Sequence, residues 1–379
     1  MTSLPLPARD ALGRPTPRPR RPWLAGAAVL VSLALPVAVP TGVLPTTPAQ
    51  AAPVVGAAPA SAAVSAPLRV ASYNIRNANS YDGFKNEKHW EDRRDAVVDM
   101  ILGQDLDVLA IQEATQGLLH DDESEPKRIN QYDDLLARLG GSWAITNATR
   151  YNCVKDTSPN SCTYAYKGAS EGQRILYDAS RLELVTQGSK LLPVPKGKGD
   201  NYMTWAELRQ LSTGKRFLFS NLHTVGTDKD YKVKNEQARL ALAELRAHNP
   251  DDLPMIAVGD WNSSRFEKPS NGPYDVYVKA GFVDPLGGKY KTHKPKGATV
   301  EHKVHTWLNS SNGGWARKAP GHKSWGLGSY IDYILTTKMR VSEWETVARL
   351  DKKGRYVGTI PSDHNMVRAT VWLPSQTVS

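Results

Sequence analysis

The chain has 379 residues, of which 40% are hydrophobic and 23% are charged, and its formal net charge is +10. This composition is ordinary for a globular protein, allows a large buried core, and fits either one large domain or two small ones. The two cysteines are too few to build a structural zinc site on their own.

Residues 1–51 have the pattern of a secretory signal peptide. A basic segment containing Arg20-Arg21 precedes an apolar run at 23–39, and small residues then lead to an A-x-A cleavage site at 49–51. The apolar run is short for a membrane span, so an uncleaved anchor is the lesser alternative. We expect a secreted, extracellular protein, exported by the general or the twin-arginine route.

Residues 52–67 are rich in Ala, Pro and Ser without a period, which predicts a flexible lead-in and a catalytic domain at 68–379. The leader contains five Arg and one Asp, so the rest of the chain carries 43 basic and 37 acidic residues and a net charge of +6. A moderately basic surface favours polyanionic partners, either nucleic acid or anionic lipid headgroups.

Strands and helices alternate along this domain without an internal repeat, which predicts an α/β fold with two packed sheets inside helical layers. The predicted helices are 90–102, 129–139 and 232–248, and the predicted strands are 68–75, 107–112, 174–177, 182–185, 204–211, 215–222, 255–258, 330–335 and 366–372. A Gly-, Lys- and His-rich stretch at 285–328 is predicted to be a loop region that shapes substrate choice.

Cys153 and Cys162 lie nine positions apart in a polar segment. In an exported protein this spacing favours a local disulfide that closes a loop, with two free thiols as the alternative.

Six short segments each end a predicted strand on a side chain that can handle a metal or a phosphate. They are SYNIR with Asn74, IQEAT with Glu113, NLHT with His223, GDWN with Asp260 and Asn262, YIDYIL with Asp332, and SDH with Asp363 and His364. Several strands that each deliver one such residue to a common edge build a site. Any one segment alone fits a core histidine or a capping Asp or Asn, but six together favour a site.

Most of these residues offer oxygen ligands. A carboxylate such as Glu113 at the end of an apolar strand is costly to bury without a counter-charge. Mg²⁺, or Mn²⁺, prefers oxygen ligands and needs only one or two carboxylates plus a substrate phosphate. The sequence has no cysteine cluster and no H-E-x-x-H motif, which argues against the usual zinc enzymes.

The two histidines suit proton transfer and charge stabilisation. An aspartate such as Asp332, bonded to a ring N–H of His364, would fix its tautomer and raise its basicity, as a general base requires. His223 would donate a hydrogen bond to a phosphate oxygen as charge develops.

Together the six segments resemble those of the endonuclease/exonuclease/phosphatase superfamily, which includes deoxyribonuclease I, abasic-site endonucleases, bacterial sphingomyelinases and inositol-polyphosphate phosphatases. The resemblance spans residues 68–374. It implies a four-layer α/β sandwich, two packed mixed β-sheets flanked by helices, with the site at one edge of the sheets. It also implies hydrolysis of a phosphoester by in-line attack of water, with magnesium stabilising the developing charge.

Carried over to this chain, the resemblance implies that Glu113 is the principal metal ligand, with Asn74 beside it and Asp363 as a further carboxylate. Some nucleases have an arginine two positions after this glutamate. The chain departs from them, because Ala114-Thr115 follows Glu113 and Thr115 occupies that position.

The same resemblance implies that Asp260 and Asn262 hold the phosphate and the attacking water, that His223 contacts the phosphate, and that His364, oriented by Asp332, is the general base. One further polar residue is expected near the segment EGQRILYD, and the candidates are Glu171, Gln173 and Arg174.

The substrate class is left with two alternatives. Lysines at 289, 291, 294, 296 and 303 favour a phosphate backbone, and the tryptophans at 307, 315 and 325 would stack on bases. The same tryptophans would also insert at a lipid interface.

The leading hypothesis is a secreted, Mg²⁺-dependent nuclease acting on DNA or RNA. The alternatives are a sphingomyelinase- or phospholipase C-like hydrolase, another phosphoester hydrolase of this fold, and a non-catalytic binding module. No heptad repeat is present, and we expect a monomer.

Overall fold

The computed structural model describes residues 65–115, 119, 129–147, 172–226, 228–289 and 291–376. The predicted signal peptide, most of the lead-in, both cysteines and Glu171 lie outside the described residues. Among the described residues, no helix combines the length and the apolar character needed to cross a membrane.

Strands predominate in the described part of the chain. They are β1 (Pro67–Asn74), β2 (Val108–Gln112), β3 (Trp143–Ile145), β4 (Arg174–Asp178), β5 (Leu182–Leu192), β6 (Asn201–Gln210), β7 (Arg216–Asn221), β8 (Met255–Asp260), β9 (His302–Val304), β10 (Asp332–Thr336), β11 (Arg340–Val347) and β12 (Met366–Trp372). The helices are α1 (Trp90–Leu102), α2 (Gln131–Leu139), α3 (Tyr231–Ala247) and α4 (Gly272–Lys279), with short 3-10 turns at Asp228–Asp230 and Lys323–Trp325.

The strands form two mixed sheets. The first has seven strands in the order β3-β4-β2-β1-β12-β11-β9, and the second has five in the order β10-β8-β7-β6-β5. In each sheet a central parallel pair, β1 with β2 and β7 with β8, is flanked by antiparallel neighbours.

The side chains of β1 show how the layers stack. Leu68 and Val70 pack into the cluster that contains the second sheet together with α3 and α4. Ala71 and Tyr73 point to the opposite face and pack into the cluster that contains α1 and α2. Because successive strand residues face opposite sides, this alternation places each sheet between the other sheet and a helical layer. The predicted four-layer α/β sandwich is confirmed.

Several elements differ from the sequence prediction. The strand predicted at 182–185 continues to Leu192, and β3, β9, β11 and α4 were not predicted. In β11 a bulge between Val341 and Glu343 shifts the register, so that the buried residues Val341 and Trp344 are three positions apart. A period of two is therefore not visible in this strand.

A polar bridge joins the two sheets beneath the edge where the parallel strands end. The Nε2 atom of Gln112, the last residue of β2, donates to Oδ1 of Asn221, the last residue of β7, at 2.8 Å. The Asn221 amide donates in turn to the carbonyl oxygens of Ile111 and Arg174. All of these groups are buried, so the bridge fixes the separation of the strand ends.

Gly259 allows the second sheet to close tightly next to this edge. Its φ is +141°, and a Cβ atom there would lie 1.8 Å from the carbonyl oxygen of Leu222. Only glycine fits this position, directly before Asp260.

We predict that Gly259→Ala lowers the free energy of unfolding by about 3 kcal/mol or prevents folding, because the methyl group meets rigid backbone at a strained φ. Urea unfolding monitored by tryptophan fluorescence measures this. Gly314→Ala is the matched control, since Gly314 has no heavy atom within 4 Å of the added Cβ. Equal stability of the two variants would contradict the assignment.

Candidate active site

All eight predicted site residues lie at the edge where β1, β2, β7 and β8 end, and Asp260 is at their centre. Its Oδ2 accepts a hydrogen bond from Nδ2 of Asn74 at 3.0 Å and lies 3.5 Å from Nε2 of His223 and 3.7 Å from Nε2 of His364. Asp260 is 1% exposed, so these nitrogens replace water as its partners.

Glu113 follows β2 with a positive φ of 60°, which turns its carboxylate into the site. Oε1 accepts from Nδ2 of Asn74 at 2.9 Å, and Oε2 accepts from the backbone N–H of Asn77 at 3.1 Å. Burial alone would raise the pKa of Glu113, but the charge of His223 and the bond from Asn74 outweigh it and lower the pKa below its usual value. Glu113 is therefore held as a carboxylate.

Asn74 is a donor in this arrangement. Its Nδ2 serves both Glu113 and Asp260, while its Oδ1 accepts from the backbone N–H of Arg76. The amide thus orients two carboxylates, and the predicted role as a metal ligand would require it to rotate.

His364 and Asp332 form a buried dyad. Asp332 is the first residue of β10 and lies opposite Asp260 in register on β8. Nδ1 of His364 lies 2.9 Å from Oδ2 of Asp332. Because an ionised carboxylate only accepts, this bond places a proton on Nδ1 and directs Nε2 toward Asp260.

Electrostatics make His364 strongly basic. Burial acts to lower its pKa, but the charges of Asp332 and Asp260 raise it well above the usual value. Burial in turn raises the pKa of Asp332 to about 6, against the opposing charge of His364. A ring with a raised pKa holds its proton near neutral pH and must lose it before it can accept one from water.

His223 and Asn262 form a second pair of polar groups next to Asp260. Nδ2 of Asn262 lies 3.0 Å from Nε2 of His223 and also donates to the carbonyl oxygen of Thr224. Asn262 has a positive φ of 44°, and its backbone N–H is held by Oδ1 of Asp260 at 2.9 Å. The turn after β8 thereby fixes the amide next to the imidazole.

The structure adds a residue that sequence reasoning missed. Arg76 directs its NH1 toward two predicted metal-site carboxylates, 4.0 Å from Glu113 and 3.8 Å from Asp363. Its position in SYNIR, two residues after Asn74, was the available signal.

Arg93 of α1 was also not predicted. Its guanidinium donates to the carbonyl oxygens of Ile75, Arg76 and Pro361, and so joins the loops that carry these groups.

The structure distinguishes between the two described candidates for the additional polar residue near the segment EGQRILYD, Gln173 and Arg174. Arg174 is fully buried and its guanidinium lies over the Tyr132 ring at 3.9 Å. Gln173 instead donates to Oδ1 of Asn201, whose Nδ2 donates to the carbonyl oxygen of His223. Gln173 therefore reaches the site through Asn201.

The donor set fits a hard divalent cation. Glu113 and Asp363 both lie within 4.0 Å of NH1 of Arg76, so two carboxylates, the type of ligand that a hard divalent cation prefers, share this side of the site. Asp260, Asp332 and His364 also place possible ligand atoms within 4.8 Å of one another. Since Asp332 is engaged by Nδ1 of His364, we assign that second group to proton transfer.

The sequence profile of the endonuclease/exonuclease/phosphatase family matches residues 71–364. No curated protein matches this sequence. An endonuclease/exonuclease/phosphatase family protein of Bacteroides thetaiotaomicron has a similar structure, with a TM-score of 0.59 and 20% identity over 83% of this chain and 100% of that chain.

Two further solved structures share the fold. Mannosyl-6-phosphatase of Bacteroides thetaiotaomicron has a TM-score of 0.58 and 21% identity, over 80% of this chain and 99% of that chain. TDP2 of D. rerio, complexed with a single-strand DNA product, has a TM-score of 0.50 and 16% identity, over 80% of this chain and 98% of that chain.

We predict that Glu113→Gln weakens Mg²⁺ or Mn²⁺ binding at least about tenfold, because it removes the charge of a proposed ligand. Isothermal titration calorimetry measures the affinity. Glu345→Gln is the control, since Glu345 lies on β11 and pairs with Arg368. Unchanged affinity in Glu113→Gln would place the cation elsewhere.

Proposed function

The chain belongs to the endonuclease/exonuclease/phosphatase family of metal-dependent phosphoester hydrolases, and we propose that it is an exported, Mg²⁺-dependent phosphodiesterase that cleaves nucleic acid. The observation that carries the chemistry is the His364–Asp332 dyad at 2.9 Å, in which Nε2 of His364 lies 3.7 Å from the Asp260 carboxylate that His223 also approaches at 3.5 Å. A general base and phosphate-binding groups around one carboxylate suit hydrolysis by attack of water.

The proposed roles follow from the geometry. Nε2 of His364 takes the proton of the attacking water, while Asp332 holds Nδ1 and stabilises the imidazolium that forms. His223 and Asn262 contact the oxygens of the phosphate as they gain charge. Since Nδ2 of Asn262 lies 3.0 Å from Nε2 of His223, a phosphate oxygen would take the place of this contact.

Glu113 and Asp363 would hold the divalent cation, which would supply positive charge to neutralise the phosphate and stabilise the negative charge that develops. Asn74 keeps Glu113 and Asp260 in place.

Nucleic acid is favoured as the substrate by charge. The chain after the leader carries a net charge of +6, and residues 285–300 contain four lysines and no carboxylate. Lys289, Lys294 and Lys296 of this stretch are exposed. A polyanionic strand would neutralise these charges and release counterions. The solved complex of TDP2 with single-strand DNA product is consistent with this choice of substrate.

A smaller phosphoester is the second candidate, because mannosyl-6-phosphatase has a similar structure. Both the base-stacking interpretation and the lipid alternative lose one of their supports. Trp315, which sequence analysis offered as a stacking or membrane-inserting residue, is 1% exposed and packs in a small core with Leu308 and Tyr356.

We expect residues 52–379 to nick supercoiled plasmid DNA in Mg²⁺ and to lose this activity in excess EDTA. His364→Ala should lower kcat by a factor of about 100 to 10,000, because the base that receives the water proton is removed. His302→Ala is the control, since His302 is exposed on β9. Activity that persists in EDTA would sink the metal-dependent assignment, and hydrolysis of sugar phosphates without DNA cleavage would favour the second candidate.

Export is proposed on the basis of the leader alone. We expect the protein recovered from the culture medium to begin at residue 52 and to weigh two hydrogen atoms less than its reduced form if Cys153 and Cys162 are paired by oxidation. Edman sequencing and intact mass spectrometry test both points. Ala51→Leu should block cleavage at this site, and full-length protein retained inside the cell would contradict export.

A further inference from the structure

A cleft of about 480 Å³ opens on a small lobe next to the active site. Its walls include the side chains of Trp307, Trp325 and His322, together with three lysines, Lys318, Lys323 and Lys353. None of the described residues that line it is acidic. The volume is in the range of known ligand sites, and the charge suits an anion.

The walls of this cleft are held in place. Leu308, Trp315 and Tyr356 are buried beneath them in a separate apolar core. Gly321 packs so tightly against Trp307 that a Cβ atom would lie 2.4 Å from the Trp307 carbonyl oxygen. The cleft is therefore part of the fold.

Aromatic faces line the cleft together with the lysines. Nζ of Lys323 lies 4.5 Å from the centroid of the Trp307 ring, and His322 stacks on Trp325 at 4.0 Å. Since Lys323 is exposed, a nucleobase can replace its ammonium over Trp307, which leaves the ammonium for the adjoining phosphate. Both tryptophans are half-buried, and His322 covers one face of Trp325, so Trp307 offers the face for stacking and neither tryptophan protrudes toward a lipid surface.

The cleft is close to the proposed general base. Ser311 forms an antiparallel bridge with His364 and lies four positions after Trp307 in the sequence. Four residues span at most roughly 14 Å. One strand of a nucleic acid advances about 3.4 Å per nucleotide in a duplex, so about four nucleotides cover this distance.

We propose that this cleft binds a base and its neighbouring phosphates on the strand that carries the scissile phosphate. The base stacks on Trp307, and Lys318, Lys323 and Lys353 contact the phosphates. This subsite rests on the proposed nuclease function and makes single-stranded nucleic acid the favoured substrate.

The test compares KM for a single-stranded oligonucleotide that spans both sites with KM for bis(4-nitrophenyl) phosphate, which is too small to reach the cleft. Trp307→Ala should raise the oligonucleotide KM about tenfold, and Trp307→Phe should restore most of it. The triple change Lys318→Ala, Lys323→Ala and Lys353→Ala should reduce the slope of log affinity against log salt by about 2. Lys352→Ala, an exposed neighbour outside the cleft, should retain the wild-type slope.

Each other outcome has a distinct meaning. Oligonucleotide cleavage with unchanged KM and salt slope in both cleft variants would overturn the subsite and leave the nuclease function standing. Hydrolysis of the small diester without cleavage of any DNA or RNA would overturn the proposed function and the subsite with it. Loss of binding to anionic phospholipid vesicles, with oligonucleotide KM unchanged, would assign the cleft to a membrane.

Discussion

The candidate active site depends on one constraint, which is that its buried carboxylates need cationic or hydrogen-bonding partners. Asp260 and Asp332 lie opposite one another on β8 and β10 and are almost completely removed from water. Two such charges at one sheet edge are costly unless cationic or donor groups accompany them. His364 satisfies this need for Asp332, and Asn74 with the two histidines satisfies it for Asp260. The partners that stabilise these buried carboxylates thus also set the protonation and the orientation of the side chains that are proposed to act on water.

The strand ends could be predicted from sequence because a polar side chain after an apolar run is a local signal. Asn74, Glu113 and His223 each occupy that position, and the structure brings them together. The two sheets followed from the same pattern, since buried strands read as apolar runs.

Other features depend on contacts that no local pattern reveals. Arg93 belongs to the helical segment WEDRRDAVVDMIL, and nothing there shows that its guanidinium reaches the carbonyl oxygen of Pro361. The bulge in β11 hides its alternation, and α4 is only eight residues long. Trp315 was a plausible surface residue by its glycine-rich surroundings, yet it packs beneath the cleft lobe. In each case tertiary packing outweighs the local preference.

The pairing of Asp260 with Asp332 has an evolutionary consequence. Residues 261–331 begin and end at two neighbouring strands whose register fixes the ends of the segment. The segment also contains α4, which packs into the core beside the second sheet, and β9, which pairs with β11. Because the entropy of closing a loop grows only slowly with its length, the loops between these elements can lengthen, shorten or be exchanged at little thermodynamic cost. Trp307, Trp325, Lys318 and Lys323 of the cleft lie within the segment, whereas the proposed base and its aspartate lie outside it and Asn262 lies at its start. Selection can therefore change what these loops recognise while the proposed base and its aspartate are retained, and the loops after Asn262 are natural units for recombination between relatives or for laboratory grafting.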